Sequence, residues 1–374
     1  MTKNLVALGA TAAAFTLPAL AMAGGIDRST QSAFILYEGK NYAEFTLGNL
    51  SPDVSGTAVP ALGGKSSGEA LTDYTLVNAG VNWTLNDRLN FAFIVDKPFG
   101  ANIDYPLGTG YFAQGTTAEV DSVSYTALAR YKFPSQVSLF AGLRYQTLVA
   151  NAMIPFVTAV PGKTAPYAIE ADKSGGWGYV VGVGWEKPEI AAKVALTYNS
   201  AIDYDLSTDE SSFAGSLAST TPTKTPQSVN LEAQTGIAKD TVLFGSVRWV
   251  DWEQFEVSPA MYSALTGSPL VSYNGPTTTY TIGVGHRFND NWSGAITYGY
   301  DTPLDGYQSN LNPVNGYHTI GLAASYTVDQ LRITATVRYY DVGDAETAAG
   351  SIKPAASFTG NSAIGVGVRI GYYF

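Results

Sequence analysis

The chain lacks the residues on which several classes of protein depend. It contains no cysteine, which excludes disulfide bonds, thiolate nucleophiles and cysteine-ligated metal sites. It has only two histidines, His286 and His318, although a hydrolase usually needs a histidine base. The formal net charge of −10 also argues against nucleic acid, which requires a basic face. We therefore expect no enzyme, no metal, no cofactor and no nucleic-acid partner.

Long apolar runs are also missing after the N-terminus. Residues 1–23 contain one early Lys3, an apolar stretch and the small-x-small end Ala21-Met22-Ala23, a pattern typical of a secretory signal peptide. The mature chain should then begin near Gly24. No later run approaches the roughly 18 apolar residues of a transmembrane helix. An exported chain without disulfides or membrane helices must be held together by backbone pairing.

What the sequence does have is alternation. Residues 362–374 place Ile364, Val366, Val368, Ile370, Tyr372 and Phe374 on one face of an extended chain, and mostly glycine on the other. A strand of a membrane β-barrel has this pattern, because its apolar face contacts lipid and its other face lines the lumen. With 14% charged residues and a mean hydropathy of +0.03, the composition fits such alternating strands.

The same pattern recurs along the chain and predicts 14 strands, an even number as in closed bacterial barrels. Short and long connections alternate between them. The short ones, expected in the periplasm, centre on Asn86-Asp87, Pro134-Ser135, Lys187-Pro188, Lys239-Asp240, Asn289-Asp290-Asn291 and Asp329-Gln330. The long ones, expected outside the cell, are roughly 51–69, 98–119, 150–174, 200–225, 251–276, 301–316 and 341–361. We predict an all-β, 14-stranded antiparallel transmembrane β-barrel over residues 41–374, with both termini in the periplasm.

Residues 24–40 precede the first strand and belong to no hairpin. They could hang from the barrel as a tail or fold into its lumen as a short plug. The apolar stretch from Ala33 to Tyr37, which includes Phe34, favours the plug, since an exposed tail would gain nothing from it.

Basic residues dominate the predicted inward faces, although the chain as a whole is acidic. One interpretation is that they attract an anion such as a carboxylate. The alternative is that they form salt bridges across the lumen or hold the plug. Arg144 and Lys163, which lie nearest the outer loops, are the stronger candidates for ligand contacts. The inward basic residues are Arg130, Lys132, Arg144, Lys193, Arg248, Arg287, Arg332, Arg338 and Arg369, and the acids are chiefly Glu44, Asp96, Glu186 and Glu232.

The connection after the fifth strand is unusually apolar. It contains Met153, Ile154, Phe156 and Val157, and Lys163 follows closely. An apolar groove with one cation suits an amphipathic fatty acid, although the loop could equally pack against its neighbours. By contrast, Asp209 and Glu210 lie in a region rich in serine and threonine, which reads as a solvated loop or, less strongly, as a site for cations that bridge lipopolysaccharide. The two histidines fall in phase with lipid-facing residues and read as interfacial aromatics.

Residues 225–255 resemble the outer-membrane long-chain fatty acid transporter family (FadL/TodX type). There, a Pro-x-Ser-Val strand, here starting at Pro226, leads through a short turn into a strand ending in Trp-x-x-Phe, here Trp252 and Phe255. The run from Asp96 to Gly100, the strand count and Phe374 are similar too.

The resemblance implies a monomeric barrel plugged by an N-terminal hatch. Hydrophobic substrate is captured by outer loops, moves to an inner pocket and leaves sideways through a kink in the third strand, where Pro98, Phe99 and Gly100 fall. Ile26 takes the place of the hatch residue that reaches into the pocket. The hatch is shorter than is usual in the family and lacks its Asn-Pro-Ala motif, which leaves open how the lumen is sealed.

We therefore expect passive, ligand-gated transport of long-chain fatty acids or similar hydrophobic compounds in the bacterial outer membrane. The alternatives are uptake of neutral or aromatic hydrocarbons and a general diffusion porin. Expected partners are outer-membrane lipid, lipopolysaccharide and the barrel assembly machinery.

Overall fold

The computed structural model describes residues 25–155 and 166–374. The predicted signal peptide and Gly24 lie outside the described residues, as do the predicted ligand contacts Phe156, Val157 and Lys163. Among the described residues, no helix has the length and apolar character needed to cross a membrane.

Fourteen antiparallel strands, β1 to β14, form one closed barrel, which confirms the predicted fold class. Strands β3, β7 and β8 each consist of two segments. The strands are β1 Tyr42–Asp53, β2 Tyr74–Thr84, β3 Leu89–Asp96 and Gly100–Asp104, β4 Thr117–Lys132, β5 Val137–Ile154, β6 Tyr167–Lys187, β7 Ala192–Asn199 and Ile202–Ser212, β8 Gly215–Thr225 and Ser228–Ala238, β9 Thr241–Val250, β10 Thr277–Arg287, β11 Trp292–Asp301, β12 Tyr317–Val328, β13 Leu331–Val342 and β14 Asn361–Tyr373.

Each strand pairs with its neighbours in sequence, and β14 closes the barrel on β1. The register of this closing pair runs from Tyr42 opposite Tyr373 to Asp53 opposite Ser362. Ile364, Val366, Val368, Ile370 and Tyr372 are exposed on the outer surface, as the alternation predicts. Because a barrel has no free edge, every strand has a hydrogen-bonded neighbour on both sides.

The short connections occur where the sequence predicts them, all at one end of the barrel, called here the short-turn end. Four of their residues adopt positive φ angles, which allow the chain to reverse within a few residues. These residues are Gln136 (66°), Ala191 (52°), Asp240 (58°) and Asp329 (51°). The opposite end, called here the long-loop end, carries the long connections.

The prediction of a long loop at residues 200–225 is wrong. The chain instead continues as strand, with Ile202–Ser212 paired to Gly215–Thr225 around a tight turn. Alternation explains the difference, because Ile202, Tyr204 and Leu206 are buried on one face while the polar residues between them are exposed. The serine and threonine residues that suggest a loop thus lie on the exposed face of this hairpin.

The long connections carry the remaining regular structure. A three-stranded sheet combines Gly56–Ala58 with Ala345–Ala349 and Ile352–Phe358, and so joins the loop after β1 to the loop before β14. Helix α1 spans Ala260–Thr266. Glu210, predicted to be solvated, is only 1% exposed and accepts hydrogen bonds from the backbone N–H groups of Met261 (3.0 Å) and Tyr262 (2.9 Å) at the start of α1. Short 3₁₀ turns occur at Phe34–Tyr37, Pro60–Leu62, Pro188–Ile190 and Trp252–Gln254.

Residues 25–40, called here the N-terminal segment, lie inside the lumen. They contact inward-facing side chains from strands on several sides of the barrel, including Asn90 of β3, Arg130 of β4 and Asn230 of β8. The segment runs from beneath the long loops at Gly25 to the short-turn end, where β1 begins at Tyr42.

Candidate ligand-binding site in the barrel lumen

Near the short-turn end, basic residues of the wall hold the N-terminal segment. Arg130 forms a buried ion pair with Glu186, donates a hydrogen bond to the carbonyl oxygen of Leu36 (3.0 Å) and lies over the Tyr37 ring (4.0 Å). Lys193 donates to the carbonyl oxygen of Tyr37 (2.7 Å). These contacts satisfy backbone acceptors that would otherwise be buried without partners. For Arg130 and Lys193, the structure therefore favours the interpretation in which lumen cations hold the plug.

Higher in the lumen, Arg248 holds the segment through its charge. The guanidinium donates to both carboxylate oxygens of Asp27 (2.7 and 3.0 Å) and to the carbonyl oxygen of Thr30 (3.1 Å). Burial raises the pKa of the Asp27 carboxyl, and the attraction of Arg248 opposes that rise. Both side chains are about 4% exposed. A bidentate pair of this kind fixes orientation as well as position.

Above Asp27, the segment becomes part of an apolar cluster. Ile26 packs with Phe99, Val250, Trp252 and Phe255, all of them buried. A Cβ atom on Gly25 would overlap the Trp252 ring, so glycine is required for this close approach. Trp252 and Phe255 thus place the start of the segment against the wall of the barrel.

A small apolar cavity of about 50 Å³ lies over this cluster, under the long loops. Its floor includes Ile26, its wall includes Val120, Leu148 and Leu206, and its cover comes from residues 255–273 and Leu311. In the part of the chain that the structure describes, no charged side chain lines it. The lining residues are Ile26, Ala101, Ala118, Val120, Leu148, Ala150, Asn151, Ala152, Ile169, Ala171, Leu206, Thr208, Phe255, Val257, Leu270, Val271, Tyr273 and Leu311.

The third strand is interrupted beside this cavity. Strands β2 and β3 pair only from Ala79 opposite Val95 to Thr84 opposite Asn90, which leaves residues 74–78 of β2 without a partner on β3. Beyond the interruption the wall closes again, since the N–H of Asp104 donates to the carbonyl oxygen of Ala70 (3.0 Å). We call this unpaired stretch the gap.

The N-terminal segment covers the gap from inside. The N–H of Gly100 donates to the carbonyl oxygen of Ile26 (2.8 Å), and the N–H of Arg28 donates to that of Pro98 (2.7 Å). Phe99 is buried and makes an edge contact with Trp252, with ring centroids 5.8 Å apart. The segment therefore replaces the missing strand pairing at this point.

Residues 6–374 match the model of a family described as outer membrane protein transport protein (OMPP1/FadL/TodX). The chain belongs to this family. The match confirms the resemblance and identifies a transport family, in agreement with the interpretation of the chain as a transporter. A comparison with curated proteins finds no match.

Solved structures of the family have the same fold at low sequence identity. A Pseudomonas aeruginosa FadL homologue has a TM-score of 0.73 and 15% identity, over 94% of this chain and 96% of its own. The Pseudomonas putida toluene transporter TodX has a TM-score of 0.65 and 12% identity, over 91% and 92%. The Ralstonia pickettii toluene transporter TbuX has a TM-score of 0.63 and 12% identity, over 96% and 98%.

Of the predicted ligand contacts that the structure describes, Ile26 lines the apolar cavity. Ile154 packs against the cluster of Tyr167, Ile169 and Leu270 at its edge, and Met153 is 46% exposed. Two others lie elsewhere. Phe34 packs in a separate cluster near the short-turn end. Arg144 is buried lower in the wall, where its Nε donates to Thr126 Oγ1 (2.8 Å).

The sequence-based prediction missed most of the cavity. Val120, Leu148 and Leu206 occupy inward positions near the long-loop end, where they interrupt an otherwise polar inner face. These apolar residues at inward positions are visible in the sequence and could have indicated the wall of the cavity. Phe255, Val257 and Tyr273 come from a long connection, and no periodicity indicates which of its residues turn inward.

Neither histidine lies near the cavity. His286 and His318 are exposed on the outer surface, and His318 shares a hydrogen bond with Tyr298 Oη (2.7 Å). Nowhere in residues 25–155 and 166–374 do three or more His, Asp or Glu side chains cluster closely enough to hold a metal ion.

Proposed function

We propose that this protein carries hydrophobic small molecules, such as long-chain fatty acids, across the outer membrane by passive diffusion. The apolar cavity under the long loops supports this proposal most directly, because its lining carries no charge and burial of hydrocarbon surface is the interaction it offers. The ligand enters under the long loops, displaces the start of the N-terminal segment and leaves through the gap beside Pro98, Phe99 and Gly100. No chemistry or energy source is required.

In this proposal the short turns and both termini face the periplasm, and the barrel is a monomer. Its exposed apolar strands contact outer-membrane lipid, and its long-loop end contacts lipopolysaccharide. The apolar face of β14 and Phe374 are recognised by the barrel assembly machinery. The apolar outer residues of every strand support the membrane placement.

Two other functions can be compared with this one. Neutral or aromatic hydrocarbons would fit the cavity as well, because its lining has no charge, and two structural neighbours are toluene transporters. A general porin needs an open, water-filled lumen. The ion pairs and hydrogen bonds that hold the N-terminal segment across the lumen argue against a porin.

The proposal is tested by binding of a fluorescent long-chain fatty acid to purified protein in detergent. Leu206→Asp places a charge in the cavity wall and should weaken binding by about fivefold or more, since burial of an unpaired polar group costs about 1–3 kcal/mol. The matched control is Leu217→Asp on the same hairpin, where leucine is 39% exposed. Absence of binding by the wild-type protein, together with a large open conductance in bilayers, would instead support a porin.

A further inference from the structure

One carboxylate joins two parts of the structure that surround the apolar cavity. Glu210 lies on the hairpin at residues 202–225 and shares a face of its strand with Leu206 and Thr208, because side chains alternate along a strand. Leu206 and Thr208 line the cavity, so Glu210 is the next inward position towards the tip of the hairpin. Residues 257–273, called here the cover loop, add to the cavity lining Val257, Leu270, Val271 and Tyr273.

The cover loop has no cap of its own for its helix. Helix α1 follows Pro259, whose side chain offers no acceptor to the first N–H groups of the helix. Glu210 supplies these acceptors from the hairpin. The N–H of Met261 donates to Oε1 of Glu210 (3.0 Å), and the N–H of Tyr262 donates to Oε2 (2.9 Å). Because each oxygen of one carboxylate takes one N–H, the contact fixes the orientation of the loop as well as its position.

The Glu210 carboxylate is itself held in place by its own hairpin and by β6. Tyr167 Oη donates to Oε2 (2.8 Å), and Ser219 Oγ donates to Oε1 (3.4 Å). Glu210 is 1% exposed, and in the described chain no cation forms an ion pair with it. Its buried charge therefore depends on N–H and O–H donors, two of which belong to the cover loop.

Other contacts of the cover loop are internal or apolar. Its base is closed by hydrogen bonds between Val257 and Val271 (3.0 Å) and between Leu270 and Val257 (2.9 Å), so the loop forms one unit. Among residues 25–155 and 166–374, two hydrogen bonds join the cover loop to the strands of the barrel, and both end at Glu210. The remaining contacts with the wall are apolar and therefore non-directional, as between Leu270 and Ile169.

We propose that Glu210 is a positioning residue that holds the cover loop over the apolar cavity, and that ligand enters when α1 separates from this carboxylate. The hairpin keeps its place during this step, because Tyr167 and Ser219 still bind Glu210. The inference rests on the proposed function and adds the entrance through which the ligand reaches the cavity.

The test measures hydrogen exchange and the association rate of a fluorescent long-chain fatty acid, both on purified full-length protein in detergent. Glu210→Ala removes both acceptors, so exchange at the N–H groups of Ser263 and Gly267 in α1 should accelerate by at least about tenfold. The association rate should rise about threefold or more, because the open state is more populated. Exchange in residues 202–225 should stay slow, which shows that the hairpin is intact.

Asp209→Ala is the matched control. It removes the neighbouring carboxylate, which lies on the exposed face of the same strand, and should change neither measurement. Glu210→Gln keeps one acceptor oxygen and should give values between those of the wild type and Glu210→Ala. Should Glu210→Ala not fold, Glu210→Gln replaces it, with faster exchange in α1 and faster association expected, and wild-type values of both as the contrary result.

The outcomes separate this inference from the proposed function. Unchanged exchange in α1 would show that Glu210 does not hold the cover loop, and faster exchange with unchanged association would overturn the entrance. Either result leaves the proposed function intact. If the wild-type protein does not bind the fatty acid, the proposed function fails and the entrance with it, while exchange in α1 still tests the contact with Glu210.

Discussion

The two halves of the lumen differ in chemistry although they belong to one continuous barrel. Towards the short-turn end, charged and polar wall residues such as Arg130 and Lys193 contact the N-terminal segment. Towards the long-loop end, the same inward positions carry Val120, Leu148 and Leu206 around an apolar cavity. The boundary between them lies at Ile26 and Asp27, which are adjacent in sequence but face the cavity and Arg248 respectively.

This difference shows that the basic character of the lumen does not by itself mark the ligand site. Arg130 and Arg248 have protein carboxylates and backbone carbonyls as partners. Arg28, which lies close to the boundary, has no carboxylate partner in the described residues. The partners of each cation therefore have to be examined one by one before a structural role is assigned to it.

The largest effect should come from a substitution that removes the ion pair between Arg248 and Asp27. Arg248→Gln leaves the Asp27 carboxylate buried without its partner, which costs about 3–5 kcal/mol. We expect amide hydrogen exchange in residues 25–32 to accelerate by about a hundredfold or more while the strands stay protected, and conductance in planar bilayers to rise.

Arg287→Gln is the matched control for this experiment. It breaks an ion pair between arginine and aspartate, with Asp240, at the partly exposed short-turn end of the barrel. Equal effects of the two substitutions on exchange in residues 25–32 would contradict the role given to Arg248.

A smaller effect should come from a substitution at Gly100, close to the boundary between the two halves of the lumen. A Cβ atom on Gly100 would lie 2.5 Å from Cζ of Arg28, so Gly100→Ala forces the guanidinium to shift. We expect the local stability of residues 26–29, measured by hydrogen exchange, to fall by about 1–3 kcal/mol. Gly39→Ala is the control in the N-terminal segment, because no atom lies within 4 Å of its added Cβ. Unchanged exchange in these residues for Gly100→Ala would contradict the close packing of Arg28 against Gly100.

The smallest effect should come from Tyr37→Phe in the polar half. The substitution removes a long hydrogen bond to Ser138 Oγ (3.3 Å) but keeps the ring contacts with Arg130 and Phe140. We expect a loss of no more than about 1 kcal/mol in the local stability of residues 34–38, measured by hydrogen exchange. A larger loss would mean that the hydroxyl, and not the ring, holds this part of the segment.

The barrel could be predicted from the sequence because its signals are local. Alternation with period two and turn residues such as Asn86 and Asp240 each act within a few positions. The hairpin at residues 202–225 was missed because its exposed serines and threonines resemble loop composition, although Tyr204 and Leu206 alternate with them.

The site was harder to predict because its parts are distant in sequence. Ile26, Val120 and Tyr273 meet only when the barrel closes and the loops pack over it. The unpaired Nε of Arg28 is likewise a property of the assembled structure, since no sequence pattern shows that an arginine lacks a carboxylate partner. Local rules therefore identify the wall of the barrel, and long-range packing determines the candidate site.

The three-stranded sheet over the long-loop end affects how the barrel can open. The junction of β1 and β14 is the one place where neighbouring strands are joined by no turn at either end, and it would be the natural line of separation under lateral stress. The sheet joins the loops that flank this junction, and the rings of Tyr42 and Tyr373 lie 4.8 Å apart at the other end. Because the β1–β14 junction is held at both ends, the lateral exit that we propose at the interrupted third strand would not require the two ends of the barrel to separate.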